Sequence, residues 1–515
     1  MTAGLIKYTD FLNKPVTLLI LFFLILVLAG FLRVYHLASN PVGFFCDEAS
    51  IGYNAYLLFM TGRDEYGKVL PMFFKSFGVY RPPIFVYSTV PFVALLGLSE
   101  LAVRIVSILY GMLTVTVMYF LGSAVAPKKK VYFGLLCSLI AATMPWLIHY
   151  NRIGFELNSY VAFFAITILL FLKSTRNARY IIPAFIVSGI TLYTYQAAHL
   201  LVPLIIVGFL SIYRKSFVSH KKIIIVGFLC FFLISIPLLY GFLNGQALAR
   251  FTMVSVFSAH LTPLQLIARI GYNYIVQLSP SYFIIGEPTP ITRHFINGLT
   301  PLLFVTIPFL LLGILKCAKT FWVKKSSQLL LFWLFIYPIA GAVTAEGPFT
   351  SRSIIGAPLF VLFIAIGIEW VVRLGKTHTR QMTIFILIVA MIVLNLISFS
   401  RFYFIQYPLD SAGYWGWQYG PRDIVTYFDA HQSEYDDLVM APEFNAPDIF
   451  FKFYAPHGCK KCLVGLPENF YVKGKNQLFA LTPLYIKNNP QYTYRPVKSI
   501  IYPNGNTAFT LMTIE

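Results

Sequence analysis

The chain has 515 residues, of which 58% are hydrophobic and only 12% are charged, and its formal net charge is +20. A soluble protein of this size carries far more charge, so the composition excludes that class and indicates a membrane protein. The lysines and arginines stand in short clusters between apolar runs, which argues against a nucleic-acid partner. Six scattered cysteines do not make a disulfide scaffold.

Apolar runs long enough to cross a bilayer recur along the chain. A spanning helix needs about 20 apolar residues. The first run, Val16 to Leu32, follows Lys7 and Lys14 without a small-residue cleavage site, so we interpret it as an uncleaved first helix. We predict eleven spans in all: 15–35, 101–125, 131–150, 157–172, 180–197, 199–213, 222–243, 298–315, 327–345, 353–372 and 381–399.

The charges between these spans predict the orientation. With the N-terminus in the cytoplasm, the five inner loops contain basic residues and no aspartate or glutamate. Cytoplasmic loops of membrane proteins are enriched in lysine and arginine, so this asymmetry predicts a multi-pass plasma (inner) membrane protein with an extracytoplasmic C-terminus. The basic residues are Lys128, Lys129, Lys130, Lys173, Arg176, Arg179, Arg214, Lys215, Lys221, Lys222, Lys316, Lys319, Lys324, Lys325, Arg373, Lys376 and Arg380.

One apolar run does not fit as a span. Ile84 to Leu98 has about 15 residues, and counting it would place Lys128, Lys129 and Lys130 outside. We therefore interpret it as an interfacial or re-entrant helix on the outer face.

The remaining outer segments are the loops 36–83 and 244–297 and the tail 401–515. The tail is long enough for a small soluble domain. It mixes short apolar runs with a helix-like run, Pro421 to His431, which predicts an α/β domain. We thus expect a transmembrane domain over 1–400 and an extracytoplasmic domain over 401–515.

The first outer loop carries two adjacent carboxylates, Asp47 and Glu48, just after a membrane helix. In one interpretation they are solvated and Asp47 caps a helix. In the other, a carboxylate at the membrane surface is a general base. Arg81, before Pro82-Pro83, lies at headgroup level, where it could hold a bound phosphate or an ordinary lipid phosphate.

The first outer loop resembles that of the polyprenyl-phosphate-sugar-dependent glycosyltransferases with the GT-C fold, a group that includes protein O-mannosyltransferases and lipid A aminoarabinose transferases. The resemblance rests on Asp47-Glu48-Ala49, Thr61-Gly62 through Leu70-Pro71, Arg81-Pro82-Pro83 and Leu101-Ala102-Val103-Arg104. It implies a polytopic α-helical membrane protein that is GT-C-like, with about eleven transmembrane helices, interfacial helices and the small C-terminal α/β domain.

The resemblance implies an inverting transfer of a sugar from a polyprenyl-phosphate donor in the outer leaflet to a protein, glycolipid or cell-envelope glycan. It makes Asp47 the base and Glu156 a second acidic partner, and it gives Glu48 the task of orienting the site or helping to bind a sugar or metal. The resemblance does not specify a cofactor, and it is compatible with a reaction with or without a divalent metal. The group often has Asp at the position of Glu156, and Lys or His at that of Arg81.

The donor phosphate needs cations near the outer ends of the helices. The candidates are Arg81 with its neighbour Tyr80, Arg152, Arg293 with His294, and Arg352. Ordinary interpretations compete with these roles, because arginines also extend to lipid headgroups. Arg104 could pair with Glu100, and Glu369 with Arg373, at i,i+4 spacing.

Two tail motifs have competing interpretations. Trp415 to Gly420 resembles the Trp-Trp-Asp-Tyr-Gly signature of oligosaccharyltransferases but lacks the aspartate, so we favour an aromatic membrane anchor. Cys459 and Cys462 could be half a zinc site, but a short-range disulfide is favoured.

Two other classes of function, a transporter and a protein that only displays the tail domain, agree less well with the sequence. A transporter or flippase of lipid-linked glycans should carry charges deep in the bilayer and paired repeats, and the sequence has neither. A protein that only displays the tail domain would not need the carboxylates and arginines gathered in the first half of the chain.

Overall fold

A computed structural model of the protein describes residues 15–126, 130–284, 291–294, 300–345, 347, 349–414 and 416–515. Several residues used in the sequence predictions lie outside the described residues: Lys7, Lys14, Lys128, Lys129 and Trp415.

The chain folds mainly into helices, and each of the eleven predicted spans contains at least one. In the described residues, five helical segments are long and apolar enough to cross a membrane: Pro15–Val34, Glu100–Val125, Leu157–Ser174, Arg214–Leu243 and His378–Asp410. The other helices within the predicted spans are Lys130–Thr143, Pro145–Tyr150, Ile181–Thr191, Ala198–Ile212, Ile307–Lys319, Lys325–Ile336, Ile339–Ala342 and Gly356–Val372. The fold is therefore that of a multi-pass helical membrane protein, while the count of eleven spans stays a prediction.

Prolines break two of the predicted spans. The span 131–150 divides into Lys130–Thr143 and Pro145–Tyr150, and the span 327–345 is interrupted after Ile336, just before Pro338. Proline lacks the backbone N–H that an uninterrupted helix needs, and it disfavours helical geometry in the residue before it. The last long helix, in contrast, continues past the predicted domain boundary at 400, through a π-helical turn, Phe402–Gln406, to Asp410.

The first outer loop contains a helix, a two-stranded hairpin and a second helix. The helix Cys46–Thr61 is followed by the antiparallel strands β1 (Phe74–Ser76) and β2 (Val79–Arg81) and by the helix Pro83–Leu96. The last helix begins at Pro83, as expected for proline in a first turn. Its 14 residues extend about 21 Å, which is less than the ~30 Å hydrocarbon core, so its length agrees with an interfacial position.

The second outer loop contains an amphipathic helix, Pro263–Leu278, among the shorter helices Ala249–Val254 and Pro280–Ile284. Its apolar side chains point outward: Leu264 is 78% exposed and Ile275 is 67% exposed. Its polar side chains Asn273 and Gln277 are buried and donate hydrogen bonds to carbonyl oxygens of residues 338–344. This distribution is typical of a helix that lies on the membrane surface.

The tail forms the expected α/β domain. Its five-stranded sheet has the order β4-β3-β5-β7-β6, in which β3 is parallel to β4 and β5, and β7 is antiparallel to β5 and β6. The strands are β3 (Asp437–Met440), β4 (Cys462–Val464), β5 (Gln477–Leu481), β6 (Tyr494–Ile501) and β7 (Thr507–Ile514), and the helices are Pro421–His431, Asp448–Tyr454, Pro467–Phe470 and Pro483–Asn488. Cys459 and Cys462 form a disulfide, the favoured of their two interpretations.

The tail domain packs directly on the first outer loop. A Cβ at Gly52, in the helix Cys46–Thr61, would lie 2.5 Å from the ring of Phe453, so the absence of a side chain allows this contact. Arg422 donates to Glu100 over 2.7 Å through Nε. Glu100 therefore does not pair with Arg104, and the predicted i,i+4 pair between them is wrong. The predicted pair Arg373–Glu369 forms over 2.5 Å.

Two glycines bring the helices Ile307–Lys319 and Gly356–Val372 into backbone contact. A Cβ at Gly313 would lie 1.9 Å from the carbonyl oxygen of Phe363, and one at Gly367 would lie 1.9 Å from that of Phe309. Small residues at helix crossings allow such close packing within membranes.

We expect Gly313→Ala to destabilise the protein by about 1–3 kcal/mol, because the added methyl group meets backbone that cannot move away. The matched control is Gly271→Ala, since Gly271 lies in the helix Pro263–Leu278 with no atom within 4 Å of its Cβ position. There alanine should be neutral or stabilise by about 0.5–1 kcal/mol. Thermal unfolding in detergent measures both variants, and equal effects would contradict the close contact.

Candidate functional site

Asp47 and Glu48 lie in the first turn of the helix Cys46–Thr61, where the helix dipole favours negative charge. Phe45, rather than Asp47, occupies the N-cap position. Adjacent residues on a helix point in different directions. The Asp47 side chain is 31% exposed, whereas that of Glu48 is 0% exposed. The two carboxylates therefore have different surroundings and different possible tasks.

Glu48 is held by four hydrogen bonds. Its Oε1 accepts from Arg104 Nε at 3.1 Å and from the backbone N–H of Gly154 at 2.8 Å. Its Oε2 accepts from the backbone N–H of Phe45 at 3.2 Å and from Arg104 Nη2 at 3.4 Å. Since this carboxylate is buried and fully hydrogen-bonded, its position favours the orienting role over direct contact with a sugar or metal.

Arg104 completes this buried cluster from the helix Glu100–Val125. Its Nη1 donates to the carbonyl oxygens of Leu37 and Pro41, both at 3.3 Å, and its Nη2 donates to that of Gly43 at 2.5 Å. Arg104 thus ties the end of the first helix and the start of the outer loop to Glu48.

Arg81 joins the other two predicted acidic residues. Its Nη2 forms an ion pair with Asp47, and its Nη1 donates to Glu156 Oε1 at 2.9 Å. Burial alone would lower the pKa of the Arg81 guanidinium, but Asp47 and Glu156 outweigh this effect and raise it. The loop residues Asp47, Arg81 and Glu156, which lie far apart in sequence, therefore form one charged cluster.

Arg152 does not lie where a phosphate could reach it. Its side chain is fully buried, and it donates to the carbonyl oxygens of Leu32 at 3.2 Å, Arg33 at 2.9 Å and Asn40 at 2.6 Å. Its guanidinium also lies over the ring of Phe404. The position of Arg152 is that of a structural residue, which corrects the expectation that it binds the donor phosphate.

Arg293 and His294 lie next to the acidic cluster. The Arg293 guanidinium stacks 3.9 Å from the ring centroid of Phe45 and donates to the carbonyl oxygen of Gly416 at 3.3 Å. The His294 ring shares a hydrogen bond of 3.3 Å with the hydroxyl of Tyr150. Burial, Arg293 and Arg352 lower the pKa of His294 well below its usual value, so this ring is neutral at neutral pH.

The remaining predicted residues lie at the edges of this region. Arg352 stacks 4.5 Å from the ring centroid of Phe349 and donates to the carbonyl oxygen of Gly347 at 3.0 Å. Tyr80 is half-buried in β2, and its carbonyl oxygen accepts a hydrogen bond of 2.9 Å from Gln196.

Arg250, in the helix Ala249–Val254, is a further basic residue that was not predicted from the sequence. The helix Ala249–Val254 packs against β2, the strand that ends at Arg81, so Arg250 lies in the same region as the acidic cluster. It is half-buried and makes no ion pair or hydrogen bond within the described ranges. The one sequence feature that could have identified Arg250 is that it is a basic residue in a predicted outer loop.

A divalent metal held by the protein alone takes several convergent carboxylate, imidazole or thiolate ligands, whereas Mg²⁺ can also bind through one or two carboxylates with water and substrate phosphate. In the part of the chain that the structure describes, no three such side chains are grouped closely enough to hold one. Asp47 and Glu156 are instead both bound to Arg81. Arg81 thus supplies the positive charge between these two carboxylates.

The sequence and the fold both resemble known proteins. Residues 80–240 match the family described as dolichyl-phosphate-mannose-protein mannosyltransferase. A comparison with curated proteins finds no match. Among solved structures, ArnT from Cupriavidus metallidurans bound to undecaprenyl phosphate matches with a TM-score of 0.51 and 11% identity, over 97% of this chain and 98% of that chain.

A second similar structure comes from an archaeon. The Archaeoglobus fulgidus oligosaccharyltransferase tethered to an acceptor peptide has a TM-score of 0.58 and 13% identity, over 97% of this chain and 74% of that chain. Its complex with an inhibitory peptide and a dolichol-phosphate has a TM-score of 0.57 and 14% identity, over 88% of this chain and 64% of that chain.

We expect Glu48→Gln to destabilise the protein by about 3–5 kcal/mol, because it leaves the Arg104 charge buried without its counter-ion. Glu369→Gln is the matched control, since the Glu369 and Arg373 side chains are 32% and 54% exposed and such pairs contribute about 0–1 kcal/mol. Thermal unfolding distinguishes the two variants. A loss at Glu48 no larger than that at Glu369 would contradict a structural role for the buried pair.

Proposed function

This chain is a multi-pass membrane protein with the GT-C glycosyltransferase fold, and we propose that it is an inverting glycosyltransferase that moves a sugar from a polyprenyl-phosphate donor to an extracytoplasmic acceptor. The match of residues 80–240 and the fold support glycosyl transfer from a lipid-linked phosphate in general. The observation that carries the proposal is the Asp47–Arg81–Glu156 cluster, since it combines a partly exposed carboxylate with nearby cations.

Asp47 is the proposed base. Of the three predicted acidic residues it has the most exposed carboxylate, while Glu156 is 12% exposed and Glu48 is not exposed. As an acceptor hydroxyl oxygen attacks the anomeric carbon, Asp47 takes the hydroxyl proton. The bond between that carbon and the phosphate oxygen breaks, and the lipid phosphate leaves with the electron pair. Attack from the opposite side inverts the anomeric centre.

Arg250 and Arg293 are the proposed partners of the leaving phosphate. Arg81 already has two carboxylate partners, whereas neither Arg250 nor Arg293 has an ion-pair partner among the residues that the structure describes. Guanidinium groups form strong charge-assisted hydrogen bonds with phosphate oxygens. Arg352 adds positive charge to the same region. Arg81 would then hold Asp47 and Glu156 in place beside the donor.

The transporter alternative has less support. The fully buried guanidinium groups of Arg33, Arg104 and Arg152 gather around the outer end of the first helix and the loop that follows it. They are occupied by carbonyl oxygens and carboxylates, so they do not line a path across the membrane.

Replacement of Asp47 by Asn should lower the rate of sugar transfer by about 10²–10⁴-fold, because a positioned general base contributes an effect of this size. The protein should still fold and bind the donor. The matched control is Asp410→Asn, which changes an exposed carboxylate hydrogen-bonded to Gln406. Transfer is measured with a radiolabelled polyprenyl-phosphate sugar, and full activity of the Asp47 variant would exclude Asp47 as the base.

Replacement of Arg250 by Gln should raise KM for the lipid-linked donor by roughly 10–100-fold, since a hydrogen bond to a charged group contributes about 1.5–3 kcal/mol. Arg269→Gln is the control, because Arg269 is exposed in the same outer loop and donates to the carbonyl oxygen of Ala345. Steady-state kinetics at several donor concentrations measure the effect. An unchanged KM would remove Arg250 from the donor site.

A further inference from the structure

A cavity of about 330 Å³ lies where the segment after the last long helix meets the tail domain. It is lined on one side by Gln418 and Tyr419 with the preceding residues 412–414, and on the other by Glu443, Phe444, Tyr502 and Phe509 of the α/β domain. Ligand pockets in proteins start at about this volume and combine aromatic walls with a few polar groups. None of its lining residues has a role in the transfer reaction proposed above.

Gln418 is the unusual member of the lining. Its side chain is 2% exposed, and neither its amide oxygen nor its amide nitrogen has a hydrogen-bond partner in the described structure. Buried amides in folded proteins are almost always hydrogen-bonded, because an unpaired one has lost its water without replacement. A ligand in the cavity with both donors and acceptors would supply the missing partners after a small rotation of this side chain.

The backbone around Gln418 is held in place. Gln418 has a φ of 51°, in the left-handed region that non-glycine residues rarely occupy. The N–H groups of Trp417, Gln418 and Tyr419 donate to the carbonyl oxygens of Ser411, Gly413 and Ala412 over 2.8–3.2 Å. The backbone that carries the amide is therefore fixed, and only the side-chain torsion angles of Gln418 need to change for the amide to meet a ligand.

The lining chemistry selects the class of ligand. The rings of Tyr419 and Tyr502 lie 5.9 Å apart, and those of Phe444 and Phe509 lie 5.1 Å apart, so flat apolar faces surround the polar groups. The described lining residues include one carboxylate, Glu443, and no lysine or arginine. An anionic ligand would find no counter-charge there, and a purely apolar ligand would leave the buried amide of Gln418 without a partner. Glu443 already accepts a hydrogen bond of 3.0 Å from Thr482 and keeps acceptor capacity for a ligand hydroxyl group. A sugar ring, with apolar C–H faces and a rim of hydroxyl groups, fits both requirements.

The cavity lies close to the proposed reaction site, because Gln418 of its lining is only two positions from Gly416, which contacts Arg293. Gly416 accepts the hydrogen bond from Arg293, which stacks on Phe45 beside Asp47, and Gln418 follows two positions later. A Cβ at Gly43 would lie 2.1 Å from the carbonyl oxygen of Trp417, so the same segment also packs on the loop that precedes Asp47. The segment 416–418 thus separates the proposed base from the cavity.

We propose that this cavity binds a neutral sugar unit of the acceptor, which makes the acceptor a glycan or glycolipid rather than an unmodified polypeptide. Gln418 and Glu443 hydrogen-bond the hydroxyl groups, and the aromatic side chains contact the ring. The assignment of this sugar to the acceptor rests on the proposed transfer reaction, whereas the binding of sugar in the cavity does not.

The test is saturation-transfer NMR on the full-length protein in detergent, with glucose, mannose and galactose as neutral probes and glucosamine and glucuronic acid as charged ones. At least one neutral sugar should bind, and Gln418→Met and Glu443→Gln should each weaken its binding by about tenfold or more. The control Gln491→Met changes an exposed glutamine of the same domain and should have no effect. Absence of neutral-sugar binding, binding of glucosamine alone, or equal binding by all variants would overturn the proposal.

A stability measurement supports the interpretation of the variants. Gln418→Met replaces an unpaired buried amide by an apolar side chain of similar shape, so it should raise Tm without sugar and abolish the rise in Tm that sugar causes in the unaltered protein. A lower Tm without sugar would show that the amide has partners and would overturn its role. Tyr502→Ala, at a half-buried ring, provides a second variant with reduced sugar binding.

The two proposals fail in different ways. Asp47→Asn should still bind the neutral sugar while it no longer transfers. Sugar binding without transfer in the unaltered protein would overturn the glycosyltransferase proposal alone. Transfer with equal rates for the unaltered protein and for Gln418→Met and Glu443→Gln, at limiting acceptor, would overturn the acceptor assignment alone.

Discussion

The ion pair between Arg104 and Glu48 lies where separate parts of the chain meet. It connects the carbonyl oxygens after the first helix, the N-terminus of the helix Cys46–Thr61 and the backbone at Gly154. A buried ion pair is stable only when its remaining donors and acceptors are satisfied, because both charges have lost their water. Here Glu48 receives four hydrogen bonds, and the position of Asp47, one residue earlier, follows from this anchor.

The cluster of Asp47, Arg81 and Glu156 differs from the Glu48–Arg104 pair in its balance of charge. Arg81 faces two carboxylates, Asp47 and Glu156, and the cluster of these three groups alone carries a net negative charge. Arg250, Arg293 and Arg352 add positive charge to this region. In the proposed reaction the negative carboxylate of Asp47 takes a proton, and the positive arginines stabilise the negative charge of the leaving phosphate.

Much of this arrangement could be predicted from the sequence, and the limits have physical reasons. The apolar runs located the helices, and the resemblance to the GT-C enzymes singled out Asp47 and Glu156, which the structure brings together at Arg81. Burial could not be read from the sequence: Arg152 looks like Arg81, yet carbonyl oxygens enclose it. The partner of Arg104 was wrong because a residue 56 positions away outweighs the local i,i+4 neighbour. Arg250 was missed because one arginine in a long loop has no distinguishing pattern.

The strands of the tail show the same limit. β5, whose residues are all buried, appears as a continuous apolar run in the sequence. β4 has only three residues, and most residues of β6 are exposed, so neither has a strong apolar pattern. Their places in the sheet depend on pairing with neighbours, which a single sequence does not display.

The contact between the tail domain and the first outer loop has a consequence for how the protein is made. Lys452 meets Glu65 across 387 positions of sequence, and Arg422 meets Glu100 across 322. During synthesis the first loop leaves the membrane long before its partner exists, because domains fold in the order in which they emerge. Glu65 and Glu100 therefore gain these partners only after the tail helices have been synthesised. The contact between the first outer loop and the tail domain therefore forms late in biogenesis, whereas Asp47, Arg81 and Glu156 can pair before the tail is made.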